Sequence, residues 1–328
     1  LYTKGNNKMK NKIGMLALVA SMVSFTINAS TEIKFGMQAA AGSLEYQSAE
    51  VFSKKLSELS QGDLSVSLFP SAVLGDDRAM LQQLTMGDLG LTFASMGRVG
   101  LWIPRASAMD LPYVVKDHQH AQRIFSSSFG QSIREKMEKD HGWYALNTWY
   151  NGTRETTSNR ALNTIDDFAG LKLRVPNAKT LLGFARLVGA SPTPMSFSEV
   201  YLALQTNAVD GQENPLHTIN TMKFYEVQSN LAMTNHLVDD TMLIVSSKVW
   251  SSLSVEQKKM VQIAADYAES FHTKSVQDKE SKLISYFEGK GVEVTYPDMK
   301  VLRKAMSPMY AEFNADLGKD VISEILKI

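Results

Sequence analysis

The chain predicts an α/β fold of two lobes, and three observations carry that reading. Residues 32–94 alternate strand and helix periods in the order β-α-β-α-β, the pattern of a parallel sheet covered by helices. A second β/α series opens after the Asn151-Gly152 turn. One helical stretch, Ser254 to about Glu288, would be about 50 Å long at ~1.5 Å per residue, more than the diameter of a small domain. It is expected to span both lobes.

Each element has its own warrant. Glu32–Met37 reads as a strand with Ile33 and Phe35 on one face. Glu45–Leu59 carries Val51, Phe52, Leu56 and Leu59 on a helical stripe, and Gln61-Gly62 stops it. Leu64–Phe69 is a strand, Asp77–Met86 a helix and Leu89–Ala94 an apolar strand. Asp117–Lys139 reads as one helix, and Trp143–Tyr150 as a strand running into Asn151-Gly152. Strands follow at 153–158 and 171–175, then a helix from Ala178 to Val188. Ser196 and Glu199 form a capping box ahead of a helix reaching Gln205. Asp240–Ser246 reads as a strand returning to the first lobe, and Ser254 with Gln257 caps the long helix. The expected division is 30–151 with 240–279 in lobe I and 152–239 with 280–328 in lobe II, with crossings near 150 and 240.

The N-terminus reads as an export signal preceded by a short upstream extension, together residues 1–29. Met9-Lys10-Asn11-Lys12 supplies a start and a positive region, Ile13–Phe25 an apolar core too short to span a bilayer, and Ile27-Asn28-Ala29 a cleavage site before Ser30. Apolar residues make up 44% and charged residues 21%, ordinary for a soluble globular protein. The formal charge is zero. Without Lys4, Lys8, Lys10 and Lys12, the only charges in 1–29, 30 basic residues face 34 acidic ones. No basic stripe points to nucleic acid. Cysteine is absent, which excludes disulfides, thiolate catalysis, Cys-based zinc and a lipid-modified N-terminal Cys. An exported, cysteine-free protein fits a Gram-negative periplasm, and a monomer is expected.

Enzyme signatures are missing: no nucleophile elbow, phosphate loop, dinucleotide fingerprint or paired-His zinc helix. No cofactor is called for. His118 and His120 read as a solvated helix start, Asp76-Asp77 as a cap, and Trp143, Trp149 and Tyr150 as core aromatics. What stands out is Leu171-Lys172-Leu173-Arg174-Val175-Pro176, a strand ended by proline that delivers Arg174 near its carboxyl end, where ligands of open α/β sheets bind. Arg is the side chain best shaped to grip a carboxylate. Asp77, Arg98, Arg154, Arg174, Asn177 and Asn214 fall at strand ends and turns, three arginines with few matching acids. A buried arginine without a partner is expensive, so a ligand anion can be the missing partner.

Four motifs occur in order: Asn151-Gly152-Thr153-Arg154, Leu171 to Asn177, Ser196-Phe197-Ser198-Glu199-Val200-Tyr201 and Asp210-Gly211-Gln212-Glu213-Asn214-Pro215. Together they resemble the DctP-like solute-binding proteins of tripartite ATP-independent periplasmic (TRAP) transporters, most closely the sialic-acid-binding members. The resemblance runs from about Ile33 to about Phe313 and is strongest between 150 and 236. It implies a two-lobed periplasmic binding protein fold, type II-like, backed by one long helix, and two membrane subunits, small and large, as partners. It implies that Arg174 pairs bidentately with a substrate carboxylate, that Asn214 helps hold that group and that Arg154 supplies a second cation. Asp77, Arg98, Asn177 and Phe197 match positions lining the sugar site. Two positions depart from the sialic-acid binders: Gln38 stands for Asn, and Ser95 for Glu. Hexuronates and aldonates therefore compete with sialic acid as ligand, C4-dicarboxylates less so. The rival class is a periplasmic sugar-acid enzyme using Asp77 and Glu213 as acid and base.

Overall fold

A computed structural model describes residues 31–318 and 320–328. The expected signal peptide and upstream extension lie outside the described residues. Strands β1 (Thr31–Gly36), β2 (Leu64–Phe69) and β3 (Leu91–Ser95) alternate with helices α1 (Leu44–Leu59) and α2 (Asp77–Met86), as the periodicity predicts. Ser43 caps α1 and Asp76 caps α2 through their side chains, and Gly87 ends α2 at φ 83°, where a Cβ would be strained. A short helix α3 (Met96–Val99) and a 3₁₀ turn, Pro104–Asp110, follow β3.

The single helix expected over 117–139 is two, α4 (His118–Ser126) and α5 (Ser128–His141). Ser127 breaks it: its backbone is extended and its hydroxyl accepts from Gly130 N, starting a new helix. Two expected strands are one, β4 (Trp143–Ser158), with its register shifting between Tyr150 and Thr153. Gly152, at φ 101°, forms that irregularity.

The second series is β5 (Lys172–Val175), α6 (Lys179–Leu187), β6 (Ser191–Pro194), α7 (Val200–Gln205), β7 (Gly211–Pro215) and α8 (Leu216–Thr221). β8 runs from Asn230 to Ser246, ten residues earlier than the expected start at Asp240. Then come α9 (Ser247–Ser252), α10 (Val255–Gly289), β9 (Glu293–Thr295), α11 (Met299–Ala305), α12 (Ser307–Leu317) and α13 (Val321–Leu326). The 35-residue α10 opens with the expected Ser254/Gln257 capping box.

The described strands form one sheet in the order β2-β1-β3-β8-β4-β7-β5-β6, with β9 beside β8. β1, β2 and β3 are parallel, as are β5, β6 and β7. The antiparallel ribbon of β4 and β8 joins the two sets. β3 pairs with Thr241–Val245 of β8, and β7 with Arg154–Ser158 of β4. The two half-sheets therefore share a ribbon whose irregular midpoint lies at Tyr150–Thr153 and Val238–Asp240.

Helix α10 backs both halves. Val261, Ala264, Ala265 and Ala268 join Ile33, Phe35, Phe52 and Trp149 in one core. Further along, Leu283 and Phe287 pack with Val200, Leu216 and Phe224 in another. Burial of this apolar surface, at about 25 cal/mol per Å², is what fixes the helix to each half. Trp143 and Trp149 are core residues as expected, at 1% and 0% exposed.

His118 and His120 are buried, not solvated. His118 lies between Asp240 (2.6 Å) and Glu269 (3.2 Å), beside the ribbon midpoint. Burial lowers its proton affinity, but the two carboxylates outweigh that and raise it to about 9. His120 meets the Ile325 carbonyl at 3.0 Å, because the C-terminal helices fold back over α4. Exposure statistics for histidine miss this, since the covering segment comes from two hundred residues away.

Candidate ligand-binding site

A cavity of about 450 Å³ opens between the two series of strand ends, within the size range of small-molecule sites. All nine residues singled out in the sequence line it: Gln38, Asp77, Ser95 and Arg98 from the first series, and Arg154, Arg174, Asn177, Phe197 and Asn214 from the second.

The three arginines differ sharply. Arg98 donates through Nε to Asp77 Oδ2 and through Nη1 to the Asn177 carbonyl (3.0 Å), bridging α3 to the segment after β5. Arg154 is 6% exposed and fully engaged. Its Nε donates to Glu213 Oε2 (2.5 Å), Nη1 to Asp239 Oδ2 (2.6 Å), and Nη2 to the Glu213 carbonyl (2.7 Å) and Asn214 Oδ1 (3.0 Å). Burial lowers the affinity of Arg154 for its proton, but Glu213 and Asp239 raise it further than burial lowers it. Arg154 is therefore a structural anchor of β4, β7 and β8 rather than a charge at the rim.

Arg174 is the exception. It is 3% exposed, and Nη2 donates to the Met195 carbonyl at 3.0 Å. Nε and Nη1 are buried with no partner among the described residues. Its face lies 5.9 Å from the Phe197 ring centroid, a cation–π distance, and Phe197 is braced edge-on by Phe224. Burial first, then the Arg154 and Arg98 charges, pull Arg174 down to about 10 against the opposing pull of Glu213. Strand alternation placed Lys172 and Arg174 on one face; Lys172 is exposed, whereas Arg174, at the strand's end, turns into the cavity.

Asn214 is held from both sides: Oδ1 accepts from Arg154, and Nδ2 donates to Gln212 Oε1 (2.5 Å), leaving one amide N–H uncommitted. Asp77 opens α2, and burial raises its carboxyl despite the Arg98 pair. Ser95 caps α3, accepting from Arg98 N at 3.2 Å. Gln38 is half-buried after β1, and the exposed Asn177 follows β5.

Sequence reasoning missed three contributors. Asp110 and Asp239 line the cavity, and His236 stands behind it beside Glu213, which the sequence offered only as a possible acid or base. Asp110 had a signal: an acid inside the apolar run Ala108-Met109-Asp110-Leu111. The adjacent pair Asp239-Asp240 had another, since a strand sends neighbours to opposite faces. Asp239 faces Arg154 and Asp240 faces His118. His236 stacks on Phe184 (4.1 Å, 9° between planes) and meets Glu213 Oε2 at 3.0 Å. Burial would raise the Glu213 carboxyl, but Arg154 and His236 hold it at about 2.

Comparison with known proteins adds the following. Residues 35–316 match the family described as bacterial extracellular solute-binding protein, family 7. The chain is 57% identical over 318 residues, 97% of its length and 99% of the relative's, to the sialic acid-binding periplasmic protein SiaP of Vibrio cholerae. It superimposes with a TM-score of 0.86 on the sugar acid binding protein DctPAm of Advenella mimigardefordensis in complex with galactonate, at 30% identity, covering 91% of this chain and 97% of that one. A TRAP periplasmic solute-binding protein of Roseobacter denitrificans with bound 3-deoxy-D-manno-oct-2-ulosonic acid (KDO) gives a TM-score of 0.86 at 31% identity, covering 91% and 99%. The two-lobed α/β fold and its long helix are those of these proteins.

Proposed function

We propose that this chain, which belongs to bacterial extracellular solute-binding protein family 7, is the periplasmic receptor of a TRAP transporter and captures a carboxylated sugar between its lobes. One observation carries the reading: Arg174 is a buried cation whose Nε and Nη1 lack partners and face a cavity. Either of them, taken with the second N–H of Nη2, presents two parallel donors that fit the two oxygens of a carboxylate. The ligand supplies the charge that the fold withholds, and Asn214 offers its free N–H to the same group. Sialic acid is the first choice, given the 57% identity to a sialic acid-binding relative. KDO and galactonate, bound by structural neighbours, belong to the same chemical class.

The protein binds and releases; it does not transform. Glu213 is locked by Arg154 and His236, and Asp77 is paired with Arg98, so neither offers a free acid or base for turnover. Closure pivots on the ribbon midpoint near 150–153 and 238–240, with 30–151 and 240–279 moving against 152–239 and 280–328. The closed monomer then delivers its ligand to the small and large membrane subunits. The mature chain begins at Ser30 after export to the periplasm.

A thermal-shift screen tests the ligand class. Sialic acid should raise the melting temperature in a concentration-dependent way, as ligand held only by the folded state must. KDO, galactonate, a hexuronate and a C4-dicarboxylate should follow with smaller shifts. A screen in which only the dicarboxylate acts would overturn the sugar-acid assignment.

A further inference from the structure

We propose that Asp110 is a specificity residue of this same cavity, accepting hydrogen bonds from the hydroxyl groups of a polyol side chain on the bound sugar acid. The inference rests on the sugar-acid reading above. Asp110 ends the 3₁₀ turn Pro104–Asp110, is 6% exposed, and sits among Ala106, Ala108, Met109 and Leu111, yet it lines the cavity. Its Oδ2 accepts from Gly97 N at 2.6 Å, and Ser95 is close enough to lower its carboxyl. Gly97 permits this approach, since a Cβ there would lie 2.3 Å from Oδ2.

Asp110 forms no ion pair among the described residues. Arg154, whose charge reaches it, is bonded instead to Glu213 and Asp239. A buried carboxyl in an apolar turn is costly unless its lone pairs are used. The one observed donor, Gly97 N, does not exhaust them. The cavity therefore shows both an under-used cation, Arg174, and an under-used acceptor, Asp110. A ligand with a carboxylate and several hydroxyls satisfies both.

A hydroxyl fits better than an ammonium. Burial first, and then the Asp239 charge, raise Asp110 to about 7 against the pull of Gly97, Ser95 and Arg154. Near neutral pH the group exists in both forms. A hydroxyl can donate to the charged form and accept from the neutral one, whereas an ammonium requires the charge. Ser95 touches Asp110, so a carboxylate placed on residue 95 reaches the same region of the cavity.

The test is calorimetric titration of the wild-type chain, Asp110→Asn, Asp110→Ala and the double variant Ser95→Glu/Asp110→Ala. The ligands are sialic acid, with a three-carbon hydroxylated side chain, KDO, with a two-carbon one, and glucuronate, with none. Asp110→Ala should weaken sialic acid about 10- to 100-fold, KDO less, and glucuronate under about threefold. Asp110→Asn keeps an acceptor for Gly97 and guards against misfolding; its loss for sialic acid should be about 3- to 10-fold. Ser95→Glu on the Ala background should recover part of the sialic-acid affinity and change glucuronate little. Equal losses for all three acids, no loss for sialic acid, or a wild type that prefers glucuronate would each overturn the role of Asp110 while leaving the sugar-acid site intact. A wild type that binds none of them removes both readings.

Discussion

Arg154 and Arg174 stand two strands apart in one sheet, and both are almost completely buried in the wall of one cavity. Arg154 meets two carboxylates, a carbonyl and an amide. Arg174 meets one carbonyl and leaves two nitrogens unpaired. The same side chain, at the same depth, is a rivet in one place and, in the proposed reading, a receptor in the other. The difference lies in what the neighbouring strands present. β7 and β8 bring Glu213 and Asp239 to Arg154. β5 ends at Val175 and leads to Pro176, so no neighbouring acid pairs with Arg174. An internally satisfied arginine contributes to the fold whether or not ligand is present. An unsatisfied one weakens the empty protein and strengthens the loaded one.

That contrast can be broken first at Arg154. Arg154→Ala leaves Glu213 and Asp239 buried without their cation, and removing one partner of such a network costs about 3–5 kcal/mol. Chemical denaturation of the unliganded variant should show a loss of that size. A variant as stable as wild type would mean that Arg154 is not the anchor described.

Arg174→Lys sharpens it next. The ammonium keeps the charge but cannot reproduce two parallel hydrogen bonds. Affinity for the preferred sugar acid should fall about 10- to 100-fold by calorimetry, with the fold unchanged. An unchanged affinity would rule out bidentate contact.

Asp110 gives a smaller, pH-dependent effect on stability. Its folded carboxyl is raised to about 7, whereas an unfolded Asp titrates near 3.9. Between these values the folded chain holds a proton that the unfolded chain lacks. Folding is therefore favoured at low pH, and that stabilisation is lost as pH rises through about 7. Asp110→Asn, which mimics the protonated group, should gain on wild type as pH rises from 5 to 8, by on the order of 1–3 kcal/mol across that interval, measured without ligand. A difference that does not change with pH would contradict the raised carboxyl of Asp110.

The smallest signal is the motion itself. Ligand should reduce the radius of gyration measured by small-angle scattering, as the half-sheets close about the ribbon midpoint. Identical scattering curves at saturating ligand would contradict a clamshell.

What the sequence disclosed follows its local periodicity. The first series of strands and helices, the capped 35-residue helix and the strand ending in Arg174 all announce themselves over short windows. The first ten residues of β8 do not. Asn230, Thr234, His236 and Asp239 are buried polar residues there, so the strand carries no clean alternation of apolar and polar. The break at Ser127 hides because the helical pattern continues on both sides of it, and a serine is allowed inside a helix as well as at its cap. The environment of His118 depends on Asp240 and Glu269, which are distant in sequence. In the cavity, the lining residues at strand ends and turns were legible. Those that surround Arg154, namely Asp239 and His236, became visible only once β4, β7 and β8 were aligned, because pairing across a sheet is not written in any single segment.

The central claim is that the partner of Arg174 is the ligand and not the protein. Its most direct test is Arg174→Ala, measured twice. Without ligand, the variant should melt at or above the wild-type temperature, because it loses an unpaired buried cation. With ligand, calorimetry should show a loss of roughly 2–5 kcal/mol, about 30- to 5000-fold in affinity. An unliganded variant that melts clearly below wild type, or one that is well folded and binds within about threefold of wild type, would contradict the account.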